Sequence, residues 1–422
     1  METQTVKSSY RNIILLMLAG ESIFVLPFLL ARIYRPTFLD IFKLTNFELG
    51  TLYSTYGIIA VVSCLFGGAL ADRYEPRKLI AGALIITGMG GLFLMFYPSF
   101  LQLQLLYAFW GFSTIYLFWA AMIKAARSWG GSLQQGRAFG LLEGGRGIVA
   151  ATIGALGVLL FSKLLPVDVA GANFQQRQGA FANVILFSSL WVFTVGIIIA
   201  LFLKEEQTTA TTKLKNSTWK QLKTAIQFPT MGMLILIVLC AYIGYKVTDI
   251  LSLFAAEVMS FDEVAAAQVG SYQMYLRPII CVIIGELADK TSNSRWLLRG
   301  FGVLFLGASL FSSGWVQEGM QVLFFVAVIL VALATYGLRT LYFAAVQEGQ
   351  IPYTHTGTAV GIISVIGYTP DVFMGPLMGY LLDHFPGLVG HQLVFCVLAV
   401  AGLIGIVAVW RFQKILHRLK SS

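Results

Sequence analysis

Arg277 and Arg339 each lie in the middle of a long apolar run, with no acidic residue within four positions on either side. A charge at the centre of a bilayer costs about 2.5–3.5 kcal/mol on insertion scales, so such a residue needs a partner or a ligand. A guanidinium carries a rigid fork of donors that matches carboxylate or phosphate in two-point contact. Arg277 and Arg339 are therefore the first candidates for holding an anion, and Arg146 and Lys124 join them as further cations within apolar runs. Glu143 and Arg146 are three residues apart, as are Lys246 and Asp249, and either pair could close on its own helix. Lys124 sits near a helix end, where its stem could snorkel.

Acids occur in the same runs: Glu21, Glu143, Asp249, Glu286, Glu348 and Asp371. A carboxyl group in low dielectric holds a proton more readily than one in water, which makes Glu21 and Asp371 the leading proton-coupling candidates, with Glu143 and Asp249 behind them. Asp371 follows Pro370, and Pro376 comes five residues later, so its helix should be bent. The four histidines, His355, His384, His391 and His417, fall in loops or the tail on this reading, so a histidine relay is not expected. Tyr56 and Tyr272 could hydrogen-bond or stack on a ligand; the pairs Tyr53/Tyr56 and Tyr272/Tyr275 recur at similar places in the two halves.

These residues must be positioned by membrane helices. The chain has 422 residues, 57% hydrophobic and 12% charged, against roughly 25% charged in soluble domains. Twelve apolar runs are long enough to span a bilayer, at about 12–33, 47–71, 79–97, 101–126, 138–162, 181–203, 229–256, 265–288, 297–316, 320–346, 358–382 and 392–412. The polar stretch from Lys204 divides them six and six. The expected organisation is an all-α membrane protein with a six-helix bundle at 1–203, a central cytoplasmic loop at 204–228 and a second bundle at 229–422.

With the N-terminus inside, most Lys and Arg outside the spans fall on the cytoplasmic side, and only Arg32, Arg35, Lys43, Lys163 and Arg177 fall outside. This bias places both termini in the cytoplasm. The N-terminal run shows no small-residue cleavage site and reads as a retained first helix. The formal charge of +9 fits loops facing anionic lipid, since no basic aromatic-lined patch points to nucleic acid. Cys64, Cys240, Cys281 and Cys396 lie in apolar runs without metal-ligand spacing, so neither disulfide nor metal is expected. No P-loop, HExxH or nucleophile–base pair is present, which argues against an enzyme; no cofactor is expected. Glycines around Gly88 read as helix-packing residues.

An internal repeat supports two related halves. Aligning Asp72 with Asp289 places Gly68 on Gly285, Leu70 on Leu287, Ala71 on Ala288 and Arg73 on Lys290. "GRAFG" at 136–140 matches "GTAVG" at 357–361 with nearly the same shift. Parallel six-helix repeats are a transporter design. In each copy the glycine would let helices approach closely, the aspartate would accept bonds from a helix N-terminus, and the cations would stay among headgroups.

"GGALADRYEPRK" (67–78) resembles the loop motif between helices 2 and 3 of the major facilitator superfamily, and "GELADKTSNSR" (285–295) is similar to its second copy. The first copy departs at Glu75 and Pro76, the second at Thr291, Ser292 and Asn293. The stretches "FWAAMIKAARSWGG", "QGRAFGLLEGGRG" and "GTAVGIISVIGYTPDVFMGPLMGYLLD" also resemble a bacterial branch grouped loosely with nitrate/nitrite and organic-anion carriers. The resemblance implies a gate built from Gly68, Asp72, Arg73, Arg77, Gly285, Asp289 and Lys290. It also implies a central cavity that Arg146, Arg277 and Arg339 can reach.

The expected activity is secondary transport of a small organic anion, a carboxylate or phosphorylated metabolite, by alternating access and with proton-coupled uptake. The expected setting is a monomer in the cell inner membrane. The alternative is export of a drug or siderophore-like metabolite by proton antiport. A channel and a non-transporting sensor are the readings from other classes; a channel shows no counterflow, and a sensor binds without moving its ligand.

Overall fold

The computed structural model describes residues 10–130, 135–166, 171–204, 226–342, 344–351 and 353–421. Helices and their short connections account for these residues, with no strand among them. The spanning helices, numbered in chain order, are helix 1 (Tyr10–Ile33), helix 2 (Asn46–Arg73), helix 3 (Pro76–Leu94), helix 4 (100–130), helix 5 (Gln135–Leu164) and helix 6 (Phe174–Phe202). Then follow helix 7 (Met231–Glu257), helix 8 (263–289), helix 9 (Asn293–Ser312), helix 10 (Gln321–Leu341), helix 11 (Tyr353–Gly367 and Pro370–His384) and helix 12 (Leu388–Ser421). A short helix, Arg35–Phe42, connects helices 1 and 2.

Ten of these contain a stretch apolar enough to cross a bilayer by composition alone. Helices 8 and 9 do not reach that threshold. Helix 8 carries Gln268, Gln273, Arg277, Glu286 and Asp289, and helix 9 begins with Asn293, Arg295 and Arg299. Large apolar side chains such as Leu101, Leu105, Leu201 and Val322 remain exposed on the surface, as a lipid-facing exterior requires.

The chain folds as two compact units: Met1–Ala31 with Thr55–Thr211, and Arg32–Ser54 with Thr212–Ser422. In the first unit helices 3 and 6 pack closely because glycines remove side chains from the seam. A Cβ at Gly88 would sit 2.9 Å from the Phe193 backbone nitrogen, and one at Gly196 would sit 3.1 Å from the Ile85 nitrogen. The packing role expected for Gly88 is met.

The second unit is built around a cluster of Phe254, Phe311, Phe324 and Phe395, with Phe311 stacked on Phe395 at 4.1 Å between ring centroids. Such offset and edge contacts add to the burial itself. The segment 32–54 belongs to this unit. A Cβ at Gly270 would lie 2.9 Å from the Ile33 Cα, and one at Gly375 would lie 2.7 Å from the Gly50 carbonyl oxygen.

Four helices are locally wound at other than α pitch. Helix 1 widens to a π turn at Val25–Leu29, where Leu29 N–H donates to Phe24 C=O around Pro27. Helix 4 does the same at Phe112–Trp119. Helices 7 and 8 tighten to 3₁₀ at Thr248–Ile250 and Gln273–Tyr275. Helix 11 is broken at 368–369, as its prolines predict. Irregular turns of this kind commonly mark functional positions, and these breaks fall beside Glu21, Asp249, Arg277 and Asp371.

Candidate functional site

The second unit gathers a buried chain of charges. Asp249, in the 3₁₀ turn of helix 7, accepts from Arg32 Nε at 2.5 Å and lies 3.4 Å from Lys246 Nζ. Lys246 reaches onward to Asp371 on helix 11 at 3.2 Å. The Tyr242 hydroxyl donates to the other Asp371 oxygen at 2.9 Å. The tight turn explains the contact within helix 7: closing Thr248–Ile250 brings Asp249 round toward Lys246 three residues before it.

Aromatic rings fill the gaps between these charges. Tyr245 lies between two guanidinium groups, Arg339 at 3.9 Å and Arg32 at 4.5 Å from its ring centroid, and its hydroxyl accepts from Arg32 Nη1 at 3.0 Å. Tyr53 faces Lys246 at 5.0 Å. Rings beneath cations offset part of the cost of taking them out of water. Next to this cluster Arg35, also buried, donates from Nε and Nη2 to the Asn46 side-chain oxygen.

Burial is graded along the chain. Arg32, Lys246 and Asp249 are almost fully enclosed, whereas Asp371 keeps 19% of its side chain accessible and Arg339, Tyr242, Tyr245 and Tyr368 are half-buried. The accessible end is thus a carboxylate, a guanidinium and three phenols. Deeper in, cations and carboxylates alternate.

The expected anion-binding arginines are partly brought together. Arg339 belongs to this cluster through the rings of Tyr245 and Tyr242, and Arg277, on helix 8, is buried at 5% exposure. Asp371 pairs with Lys246, and Glu21 with Arg146. Asp249 and Asp371 are here too.

Arg146 sits in the first unit, between Glu21 at 3.2 Å and Glu143 at 2.5 Å, with Phe24 and Trp119 rings nearby. The i,i+3 pairing read from the sequence is present and gains a second acid from helix 1. Lys124 instead donates to the Ala71 carbonyl at 2.6 Å, at the end of helix 2. That is a helix C-terminal contact. Tyr56 is buried in the first unit against Thr114 and Phe28, and Tyr272 is exposed in the second beside Tyr275.

A Cβ at Gly68 or Gly285 would meet nothing within 4 Å among the described residues. Arg73 and Lys290 are exposed and Arg77 is half-buried; the side chains of Asp72 and Asp289 lie outside the described set, as does most of the central loop. The second copy is held by Glu348, whose carboxylate accepts from the backbone N–H groups of Asn293 and Ser294 and caps helix 9. The histidine reading needs correction. His391 lies inside helix 12, fully buried, 3.0 Å from Glu257 and edge-on to Phe254.

Sequence reasoning missed Arg32 and Arg35, which it assigned to the outer surface. The signal was available: the outer side is nearly empty of cations, so two arginines beside a span end needed a reason. It also gave no weight to Tyr242, Tyr245 or Tyr336, because single tyrosines in an aromatic-rich chain carry no periodic signature.

Comparison with known proteins adds to this geometry. The family described as Major Facilitator Superfamily matches residues 13–369. The chain is 30% identical to the inner membrane protein YihN of Escherichia coli over 96% of both chains, and 26% identical to the inner membrane protein YqcE of the same organism over 97% and 96%. A bacterial homolog of the human lysosomal transporter Spinster, solved inward-facing, aligns with TM-score 0.73 at 16% identity over 97% and 98% of the chains. A mutant of the nucleoside transporter NupG aligns with TM-score 0.70 at 14% identity over 95% and 98%.

Proposed function

Since the chain belongs to the Major Facilitator Superfamily, a family of twelve-helix transporters and not of enzymes, we propose that it is a secondary carrier of a small organic anion, driven by protons. The observation that supports the cargo class is the stacking of Arg32 and Arg339 on Tyr245, with Lys246 joined to Arg32 through Asp249 and Arg339 at the accessible edge. Guanidinium groups stacked on rings keep their in-plane donors aimed outward, where a carboxylate or phosphate can bridge them. In a site of low dielectric such contacts discriminate strongly for anions over neutral compounds.

Asp371 is the coupling carboxylate best placed for the task. Asp249 is clamped by two cations and enclosed, and Glu21 is buried against Arg146, whereas Asp371 is reachable. We assign the protein to the cell inner membrane, as the names of YihN and YqcE suggest, acting as a monomer with both termini in the cytoplasm.

The test is a thermal-shift screen of the purified protein against organic acids, sugar acids, sugar phosphates, nitrate and neutral sugars. Anionic compounds should stabilise it, and the shift should vanish in Arg277→Ala and Arg339→Ala. Stabilisation by neutral or cationic compounds alone would overturn the reading.

A further inference from the structure

Helices 9 and 12 lie side by side in the second unit, and neither carries an acidic residue anywhere along its length. Glycines on helix 12 set how the two meet. A Cβ at Gly402 would lie 3.3 Å from the Phe305 Cα, and one at Gly405 would run into the Phe301 ring. Going forward along helix 12 thus means going back along helix 9, so the pair is antiparallel. The start of helix 9 is level with the last turns of helix 12, and both ends are basic.

Each helix turns one face outward. On helix 9 that face holds Arg295, Arg299, Gly302 and Leu306; on helix 12 it holds Leu403, Trp410, Lys414 and His417. All of these except Gly302 are exposed. At about 100° per residue, each set sits roughly a third of a turn from the contact line. Because the helices are antiparallel, rotating the same way round each brings both sets to one side of the pair. Between them the seam is open: a Cβ at Gly302 would meet nothing within 4 Å among the described residues. The cations are held by rings. Lys414 Nζ lies 3.6 Å from the Trp410 ring centroid, and the Arg299 guanidinium lies 4.6 Å from that of Trp296. The Trp296 ring is itself fixed by its indole N–H, which donates to the Leu287 carbonyl and the Thr291 hydroxyl. Among the described residues no carboxylate pairs with Arg295, Arg299 or Lys414.

We propose that this face binds one anionic phospholipid, its phosphodiester held by Arg295, Arg299 and Lys414 and its acyl chains laid along Gly302, Leu306 and Leu403. The order of chemistry along the pair is that of the lipid: cations at one end, an amphipathic indole next, and apolar surface with an open notch beyond. Three cations with no acid on either helix complement an anionic headgroup, whereas a zwitterionic one would bring a positive charge toward them. A free phosphate would use the cations and leave the apolar strip and the Gly302 notch unfilled, so the occupant is a lipid. With the C-terminus in the cytoplasm, the headgroup belongs to the inner leaflet. The site shares no residue with the charges around Tyr245 and stands apart from the cargo.

The experiment titrates the full-length purified protein, stripped of lipid in detergent, with dioleoyl phosphatidylglycerol carrying a fluorescent tail. The label is then displaced by unlabelled phosphatidylglycerol, by phosphatidylcholine with the same chains, by glycerol 3-phosphate and by inorganic phosphate. Phosphatidylglycerol should displace it at about tenfold lower mole fraction than phosphatidylcholine, or better, and this preference should shrink at high salt. Neither soluble phosphate should displace it. Arg299→Gln/Lys414→Gln should abolish the preference for the anionic headgroup. Gly302→Leu should weaken both lipids. Arg11→Gln/Lys204→Gln, which removes the same charge from the first unit, should keep the parent's preference. The exposed charge variants decide the matter even if Gly302→Leu disturbs folding. Equal displacement by the two lipids, or equal loss of preference in Arg11→Gln/Lys204→Gln, overturns the proposal. Displacement by glycerol 3-phosphate or inorganic phosphate at matched concentration also overturns it, since the site would then hold a free anion and not a lipid.

Discussion

The Lys246 ammonium stands 3.2 Å from the Asp371 carboxylate and ties helix 7 to helix 11. The first repeat holds a matching pair, Glu21 on helix 1 with Arg146 on helix 5, also at 3.2 Å, with the charges exchanged. Each pair joins the first and fifth helices of its six-helix half, with opposite polarity, and of these two carboxylates Asp371 is the more accessible.

Removing one partner from the enclosed pair should be far worse than removing both. Asp249→Ala leaves Arg32 and Lys246 without their shared anion, at a cost of about 3–5 kcal/mol. The double variant Arg32→Met/Asp249→Ala should recover part of that loss. Thermal unfolding in detergent, arranged as a double-mutant cycle, measures the coupling.

The same logic applies in the first unit. Arg146→Ala takes the guanidinium from Glu21, at 8% side-chain accessibility, whereas Glu143 is 43% accessible and can turn to water. Arg146→Ala should therefore lower the melting temperature markedly. Adding Glu21→Gln should restore much of it, and adding Glu143→Gln should restore little.

Segment 32–54 is held to the rest of the second unit by backbone contacts that tolerate no side chain. Asp383 accepts from the N–H groups of Asn46 at 3.0 Å and Phe47 at 2.7 Å, capping helix 2 from the end of helix 11. Asp383→Ala should weaken this contact by about 1 kcal/mol. Gly379→Leu would drive a side chain into the Asn46–Phe47 backbone, and overpacking of this kind costs about 1–3 kcal/mol. Both variants should insert and fold while transport slows, and labelling of an added Ser54→Cys by a polar thiol reagent should increase.

At the seam of helices 3 and 6, Gly88→Val places two methyl groups against Phe193 and Ser189 backbone. Backbone cannot yield as a flexible side chain can. This variant should fail to accumulate in the membrane, whereas Gly82→Ala, where a Cβ meets nothing within 4 Å, should behave as the parent. Immunoblots of membrane fractions distinguish the two.

Much of the architecture was legible because lipid imposes it. Spans must be long, apolar and helical, and the repeat of "GGALAD" and "GELAD" announced the two halves. Helices 8 and 9 were legible as apolar runs even though their polar residues dilute hydropathy. The i,i+3 pairs were readable because helical geometry fixes neighbours at that distance. What stayed hidden was contact between elements far apart in sequence: Arg32 with Asp249, Lys246 with Asp371, and Asp383 with the start of helix 2. No local period encodes such pairings. The place of Lys124 near a helix end was legible, whereas its acceptor, the Ala71 carbonyl on another helix, was not.

The most direct measurement is counterflow in proteoliposomes. Vesicles preloaded with unlabelled organic anions, one per preparation, are diluted into trace amounts of the same radiolabelled compound. The account predicts transient accumulation of label with at least one carboxylate or phosphorylated anion, none with neutral sugars or nucleosides, and loss of the signal in Arg339→Gln. Counterflow confined to uncharged compounds, or undiminished in Arg339→Gln, would contradict it.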